Sequence, residues 1–277
     1  GEKQIDDALD IARRGGFKMV LLGQESWCQS TGHYQVNKRN FPGGLPALQQ
    51  TINRFREHGI DVGFHVLGAS IDYHDPYITP IPDPRLVKDA HTTLTAAIDA
   101  HTTTIIVDAM PDGFPGEDGG YTGDGTVLQI GDELIKYAQR TTTAPYTFSG
   151  CVRGYHATRP ASHAASASVH HLARSYGYHM HDMDTTMLDE VTSNFAAIAN
   201  ACDIGMLYID GAEALRSATE TRPDAIVLDI NMPGLSGLEL AGVLAKYASP
   251  PAIVFVTAHD DRAVDAFEVG AVDYLLK

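Results

Sequence analysis

Helical and strand-like periodicities alternate in the first part of the chain. Apolar residues recur at helical spacing from Ile5 to Arg14, two glycines end that segment, and the apolar run 17–23 follows. Residues 45–59 and the run 61–67 repeat the pattern. Because helical segments alternate with short β-rich runs, the pattern predicts βα units around a parallel sheet.

The same alternation returns near the carboxyl end. A helical segment at 184–203 precedes the strand-like run GMLYID, and AIVLD, AIVFVT and VDYLLK follow as three further apolar runs. The last three runs end in Asp229, Thr257 and Lys277, which parallel strands would bring to one edge of the sheet. A carboxylate, a hydroxyl and an ammonium there could accept a phosphoryl group, bond to its oxygens and offset its charge.

Residues 85–172 have a different pattern of hydrophobic and turn-forming residues. Short β-type runs such as TTTIIVD and TVLQIGDELIKYA are separated by clusters of Gly, Pro, Asp and Thr, and the long helical segments disappear. We therefore predict an α/β fold whose parallel sheet, a partial barrel or a doubly wound sheet, carries an inserted small β domain. Six plausible parallel strands fall short of the eight that a closed barrel needs.

Composition limits the classes of function. The 277 residues can hold two domains, and a formal net charge of -15 argues against direct binding of nucleic acid. Cys28, Cys151 and Cys202 are odd in number and widely spaced, which indicates neither a disulfide framework nor a zinc site. With no signal peptide and no apolar run of membrane-spanning length, the expectation is a soluble, cytoplasmic protein without a membrane partner.

The segment from Pro223 to Lys277, PDAIVLDINMPGLSGLELAGVLAKYASPPAIVFVTAHDDRAVDAFEVGAVDYLLK, resembles the receiver domain of two-component response regulators, in particular those that precede a LytTR-type DNA-binding domain. LDINMPG, TAH and YLLK occur in the order of that family. The resemblance implies a sensor histidine kinase as partner and Mg²⁺ as cofactor. It implies these roles: phosphoacceptor and metal ligand for Asp229, main-chain metal ligand for Asn231, switch hydroxyl for Thr257, rotating aromatic for Tyr274 and phosphate-pairing ammonium for Lys277.

One departure from the receiver pattern concerns the metal. A receiver begins with a strand that ends in an acidic pair, and no sequence of the form VDDE precedes DGAEAL in this chain. Because Mg²⁺ needs carboxylate anchors, the phosphoacceptor is predicted to be impaired unless Asp210 or Glu25 replaces the pair.

The amino-terminal part resembles the (βα)8 glycoside hydrolases of the α-galactosidase-like superfamily, in the stretch from Trp27 through FPGGLPAL, in HGIDVGFHV and in DPYITPIPDPRL. This resemblance implies glycoside hydrolysis as the enzymatic activity, if the chain has one, and carbohydrate as ligand. It implies a catalytic carboxylate at Asp210 and sugar stacking by Trp27 and Tyr34. Local packing of Trp27 in its loop is an equally open alternative.

The small β region, with IGDELIKY and FSGCVRGYHATRPASHAA, resembles compact β modules of phage tail proteins. The resemblances to the hydrolases and to the receivers meet near Asp210, which suggests a chimera joined at that point. A junction there would preserve the alternation of strands and helices. A folded chimera with neither activity is the third alternative. The predicted division has four parts: hydrolase-like βα units at 1–84, the inserted β module at 85–172, a hydrolase-like unit at 173–213 and a partial receiver domain at 214–277.

Overall fold

A computed structural model describes the chain except for residues 1, 111–112, 119–124, 176, 183, 210–222, 231–236, 246–249, 258–261 and 277. The chain divides into two compact units. Unit 1 comprises Gly1–Ala69 and Thr186–Lys277, and unit 2 comprises Ser70–Thr185. No helix in the described ranges is long and apolar enough to cross a membrane.

The strands and helices are numbered here in chain order. The strands are β1 (Met19–Leu22), β2 (Asp61–Val66), β3 (Ser70–Ile71), β4 (Lys88–Thr93), β5 (Thr104–Val107), β6 (Val127–Ile130), β7 (Glu133–Lys136), β8 (Gln139–Arg140), β9 (Tyr146–Ser149), β10 (Ser168–Leu172), β11 (Arg174–Ser175), β12 (Tyr178–Met180), β13 (Met206–Ile209), β14 (Ala225–Leu228), β15 (Ala252–Thr257) and β16 (Asp273–Leu276). The helices are α1 (Glu2–Gly15), α2 (Gln24–Trp27), α3 (Leu45–Glu57), α4 (Thr186–Ala201), α5 (Gly237–Leu244) and α6 (Ala263–Glu268), with a 3₁₀ turn at Tyr155–Ala157.

Unit 1 is built on a six-stranded parallel sheet with the order β1-β2-β13-β14-β15-β16. The sheet is curled into a half-barrel, which confirms the predicted α/β class with a parallel sheet. Neighbours in the sheet are also consecutive among its strands along the chain, as in a barrel, whereas a doubly wound sheet reverses direction at a switch point. All six strands therefore end at one carboxyl edge.

One face of this sheet forms the core of unit 1. Leu22, Phe64, Leu207, Ile226 and Ile253 lie in register across five strands, and the last four are almost fully buried. Burying such a row stabilises the unit by about 1.5–3 kcal/mol per fully buried side chain. The opposite face is less covered, because Leu21 on β1 is 42% exposed and Leu275 on β16 is 49% exposed.

Unit 2 contains the predicted small β domain, since its described strands form antiparallel sheets. One sheet has the order β4-β10-β6-β7, and two three-stranded sheets have the orders β11-β12-β3 and β5-β9-β8. The unit extends beyond the predicted limits of 85 and 172, because β3 pairs with β12 and Leu86 bridges His181. The first pairing joins a segment before the predicted insertion to one after it, and the second joins the start of the insertion to a segment after it.

A buried carboxylate holds the loop after β9 against β7. Glu133 is 1% exposed and forms a bidentate ion pair with Arg153 at 2.8 and 2.7 Å. It also accepts hydrogen bonds from the main-chain N–H groups of Gly154 and Ala161, and contacts His163 Nε2 at 2.8 Å. Burial alone would raise the pKa of Glu133, but these bonds, first that from Arg153, hold it below its ordinary value.

Cys28, Cys151 and Cys202 are buried, and they are not joined to one another by disulfide bonds. Burial raises the pKa of the Cys151 and Cys202 thiols to about 11 in each case. Both thiols are therefore protonated and unreactive near neutral pH.

Candidate functional site at the carboxyl edge of the sheet

Two polar residues end neighbouring strands at the carboxyl edge. Asp229 directly follows β14 and is half-buried, and Thr257 is the last residue of β15 and is fully buried. Leu228 pairs with Phe255, so the register continues with Asp229 opposite Val256. Thr257 then lies one residue further along the adjacent strand, a rise of about 3.3 Å. The sheet thus brings the predicted carboxylate and hydroxyl to one point of its edge.

The backbone at Asp229 is closely packed by the start of the next helix. Gly237, the first residue of α5, donates its N–H to the carbonyl of Ile230 at 3.0 Å. A Cβ atom at position 237 would lie 2.1 Å from the carbonyl oxygen of Asp229 and 3.0 Å from its carbonyl carbon. Only glycine allows this approach, so α5 fixes the main chain that carries the candidate phosphoacceptor.

The predicted rotating aromatic lies on the outermost strand. Tyr274 on β16 is half-buried, and its ring centroid is 6.4 Å from that of Phe255, its partner on β15. The main-chain N–H of Tyr274 donates to the side chain of Asp273 at 2.8 Å. The strand β15 therefore lies between Tyr274 and the strand that leads to Asp229.

Three of the predicted site residues, Asp210, Asn231 and Lys277, lie outside the described residues. Glu25, the proposed alternative metal anchor, is an exposed residue of α2, after β1. Since β1 is three strands from β14, the two positions are separated by about 14 Å along the sheet at ~4.8 Å per strand. Glu25 and Asp229 are therefore not neighbours on this edge.

The predicted sugar-stacking residues are core residues, which corrects that assignment. Trp27 and Tyr34 are both fully buried. The Trp27 ring stacks on Phe64 with centroids 4.4 Å apart and donates its indole N–H to the carbonyl of His65 at 3.1 Å. The Tyr34 hydroxyl donates to the carbonyl of Leu67 at 2.7 Å. With their faces covered and their polar atoms bonded, neither ring offers a surface to a sugar.

A family model for the response regulator receiver domain matches residues 182–277. The chain therefore carries a receiver-type segment, in agreement with the resemblance seen in the sequence. The match begins at Asp182 rather than at the predicted 214, so it includes α4 and β13. The hydrolase resemblance of the amino-terminal part stays a prediction.

Curated relatives match the chain over short segments. The chain is 50% identical over 68 residues to the positive alginate biosynthesis regulatory protein of Pseudomonas aeruginosa, covering 24% of this chain and 27% of that protein. It is 49% identical over 65 residues to the sensory transduction protein LytT of Bacillus cereus, covering 24% and 26%. The chain thus spans about a quarter of the length of these relatives.

Solved structures with a local match include the response regulatory domain of protein mrkE from Klebsiella pneumoniae. That domain is 43% identical, the match covers 26% of this chain and 59% of the domain, and the TM-score is 0.24.

The sheet order departs from that of the flavodoxin-like fold to which receivers belong. In that order, 2-1-3-4-5, the first strand lies between the second and the third. Among the described strands, β13 is the one that precedes β14 along the chain, and it also borders β14 in the sheet. The strand that leads to Asp229 therefore lies between β13 and β15, and the segment before α4 belongs to unit 2.

The role of Gly237 was not predicted by the sequence analysis. Its close approach to the Asp229 carbonyl is a contact between residues eight positions apart, which no local pattern specifies. The available signal was its place at the start of a helical pattern after LDINMPGLS. The sequence also did not determine which strand borders β14 in the sheet. The strand orders of barrels and of receivers both arise from the same alternation of strands and helices along the chain.

Proposed function

We propose that this chain acts as a receiver-type phosphoacceptor of a two-component phosphorelay, with Asp229 as the acceptor and a sensor histidine kinase as the donor protein. The observation that carries the proposal is the juxtaposition of Asp229 with Thr257 at the carboxyl edge of a parallel sheet, within the segment that matches the receiver model. A carboxylate oxygen of Asp229 would form the new bond to phosphorus while the bond from phosphorus to the donor breaks. The donor leaves with the electron pair.

The neighbouring residues would stabilise the transferred group. The Thr257 hydroxyl would bond to a phosphoryl oxygen, and the Lys277 ammonium would offset its negative charge. Tyr274 would change its ring position when Thr257 engages the phosphoryl group, as the receiver resemblance implies. The half-burial of Tyr274 on an edge strand supports this assignment, since a ring with one open side can move without disturbing the core.

Mg²⁺ would supply charge neutralisation at the transferred phosphoryl group, and the described residues do not provide a full set of ligands for it. In the described part of the chain there is no group of three or more His, Cys, Asp or Glu residues that could hold a metal ion. Asp229 contributes one carboxylate, and a hard cation of this kind needs further oxygen ligands. We therefore propose weak Mg²⁺ binding and slow phosphorylation, as the missing acidic pair suggests.

Asp210 is our candidate for a second anchoring carboxylate, with Asn231 as a main-chain ligand. Asp210 follows β13 in the sequence, and β13 borders β14. Replacing Asp210 with asparagine is expected to raise the Mg²⁺ concentration for half-maximal phosphorylation at least about tenfold, as for the loss of a supporting metal partner. Asp203→Asn, at an exposed carboxylate after α4, is the matched control. An unchanged Mg²⁺ dependence of the Asp210 variant would remove this assignment.

The phosphoacceptor proposal is tested with acetyl phosphate, Mg²⁺ and intact-protein mass spectrometry. The wild type is expected to gain one phosphoryl group, and Asp229→Asn to gain none. Asp224→Asn is the matched control, because Asp224 is exposed at the opposite end of β14, before the strand begins. If the Asp229 variant is labelled like the wild type, the proposal fails.

Binding of DNA is not carried over from the relatives, because the chain matches about a quarter of their length. The hydrolase alternative gains no support from the described residues, since the burial of Trp27 and Tyr34 removes the expected sugar platform.

A further inference from the structure

Two histidines lie directly opposite each other on the four-stranded antiparallel sheet of unit 2. His91 on β4 and His170 on β10 are paired residues, and their ring centroids are 5.1 Å apart. The next residue, His171, has a different role. It contacts the Asp89 carboxylate at 2.5 Å and the Gly125 carbonyl at 2.8 Å, so both of its ring nitrogens have protein partners.

The separation of the first two rings fits a shared metal ion. A Zn–N bond of about 2.05 Å places the ion about 3.2 Å from each imidazole centroid, and a tetrahedral angle then separates the centroids by about 5.2 Å. The observed 5.1 Å agrees with this value. The planes are tilted by 39°, so the two rings are not in a parallel stack.

Buried polar atoms without partners lie in the same row of the sheet. The Nδ1 atom of His170 is buried and has no hydrogen-bond partner among the described residues. Gln129 on β6 is the paired residue of His170 on its other side and is 7% exposed. Its Nε2 donates to the Gly131 carbonyl at 3.0 Å, whereas its Oε1 has no partner in the described part of the chain. Unpaired buried polar atoms are destabilising, and an ion and its bound water would offset that cost.

Burial, followed by the neighbouring His91 and Lys88, lowers the pKa of His170. The Lys88 ammonium donates hydrogen bonds to the main-chain carbonyls of Pro84 and Leu86, at 2.9 and 3.4 Å. These bonds fix the position of the ammonium group.

We propose that His91 and His170 bind one divalent transition-metal ion of the Cu²⁺ or Zn²⁺ class across β4 and β10. Gln129 Oε1 supplies a further ligand or accepts a hydrogen bond from a metal-bound water. Imidazole ligands suit these ions, and Cu²⁺ binds most tightly in the divalent series. The ion would link two strands of unit 2 and stabilise that unit by mass action. This site is independent of the phosphoacceptor, because His91, His170 and Gln129 all belong to unit 2.

The test is a titration of the full chain with Cu²⁺, followed by calorimetry and by electron paramagnetic resonance. The wild type is expected to bind one tight equivalent, with a spectrum that shows two coordinated imidazole nitrogens. His91→Ala and His170→Ala are each expected to lose at least about tenfold in affinity and one nitrogen from the spectrum. His91 is exposed, so its replacement leaves the fold intact.

The control is His101→Ala, which removes an exposed histidine of unit 2 outside this sheet and is expected to keep both the affinity and the spectrum. The proposal is overturned if the wild type binds no Cu²⁺ tightly. It is also overturned if His91→Ala retains the affinity and the two-nitrogen signal, because binding would then occur at other histidines.

Discussion

Replacing Gly237 with alanine is expected to destabilise unit 1 by about 2–3 kcal/mol, the cost of forcing extra volume into a packed site. The new Cβ would lie 2.1 Å from the carbonyl oxygen of Asp229 and 3.2 Å from the Cα of Ile230. These contacts are with main-chain atoms, so a change of side-chain rotamer cannot relieve them. The displaced backbone carries Asp229, and phosphorylation should therefore decrease together with stability.

Gly242→Ala is the matched control for this prediction. Gly242 lies in the interior of the same helix, α5, and an added Cβ would meet nothing within 4 Å. Alanine there should stabilise the helix by about 0.5–1 kcal/mol, because glycine loses more backbone entropy on folding. The measurement is urea unfolding followed by the fluorescence of Trp27, the only tryptophan and a buried residue of unit 1. Equal midpoints for the two variants would contradict the close packing at Asp229.

Replacing Arg153 with alanine is expected to destabilise unit 2 by about 3–5 kcal/mol, the usual cost of leaving one partner of a buried ion pair uncompensated. Arg153 is 6% exposed and supplies both bonds of the bidentate pair with Glu133. It also donates to the carbonyls of Ala161 and Asp99, so its removal releases the segments on both sides. Glu133 would remain as a buried carboxylate without its principal cation.

Hydrogen exchange of the β6 and β7 amides measures this effect, since Trp27 reports on the other unit. Arg159→Ala, an exposed arginine of the same loop, is expected to leave the exchange unchanged. The double variant Glu133→Gln with Arg153→Met removes both charges and should recover much of the lost protection. If Arg153→Ala and Arg159→Ala have equal exchange rates, the ion pair does not stabilise the unit.

The local pattern of hydrophobic residues was sufficient to predict the main helices and strands of unit 1. Helical spacing and short β-rich runs predicted the parallel sheet, and strand ends identified Asp229 and Thr257, because parallel strands share one carboxyl edge. The loss of helical periodicity and the short β-type runs between clusters of turn residues predicted the inserted small β domain. Each of these inferences uses neighbours along the chain, which the sequence displays directly.

Contacts between distant segments could not be obtained in this way. Trp27 in a loop is compatible with a sugar platform or with core packing, and its stacking on Phe64 of β2 decided between them. The bidentate pair of Glu133 and Arg153 forms only when the loop after β9 returns to β7. The pairing of His91 with His170 depends on the register between β4 and β10, which no local motif specifies.

Borohydride trapping locates an acyl phosphate and tests the role of Asp229 most directly. The protein is treated with acetyl phosphate and Mg²⁺, reduced with borohydride and digested, and its peptides are sequenced by mass spectrometry. Borohydride reduces a phosphorylated aspartate to homoserine, so the account predicts homoserine at position 229, and none there without acetyl phosphate. Homoserine at another aspartate, such as Asp224, or at no position at all would contradict the assignment of this sheet edge as a phosphoacceptor site.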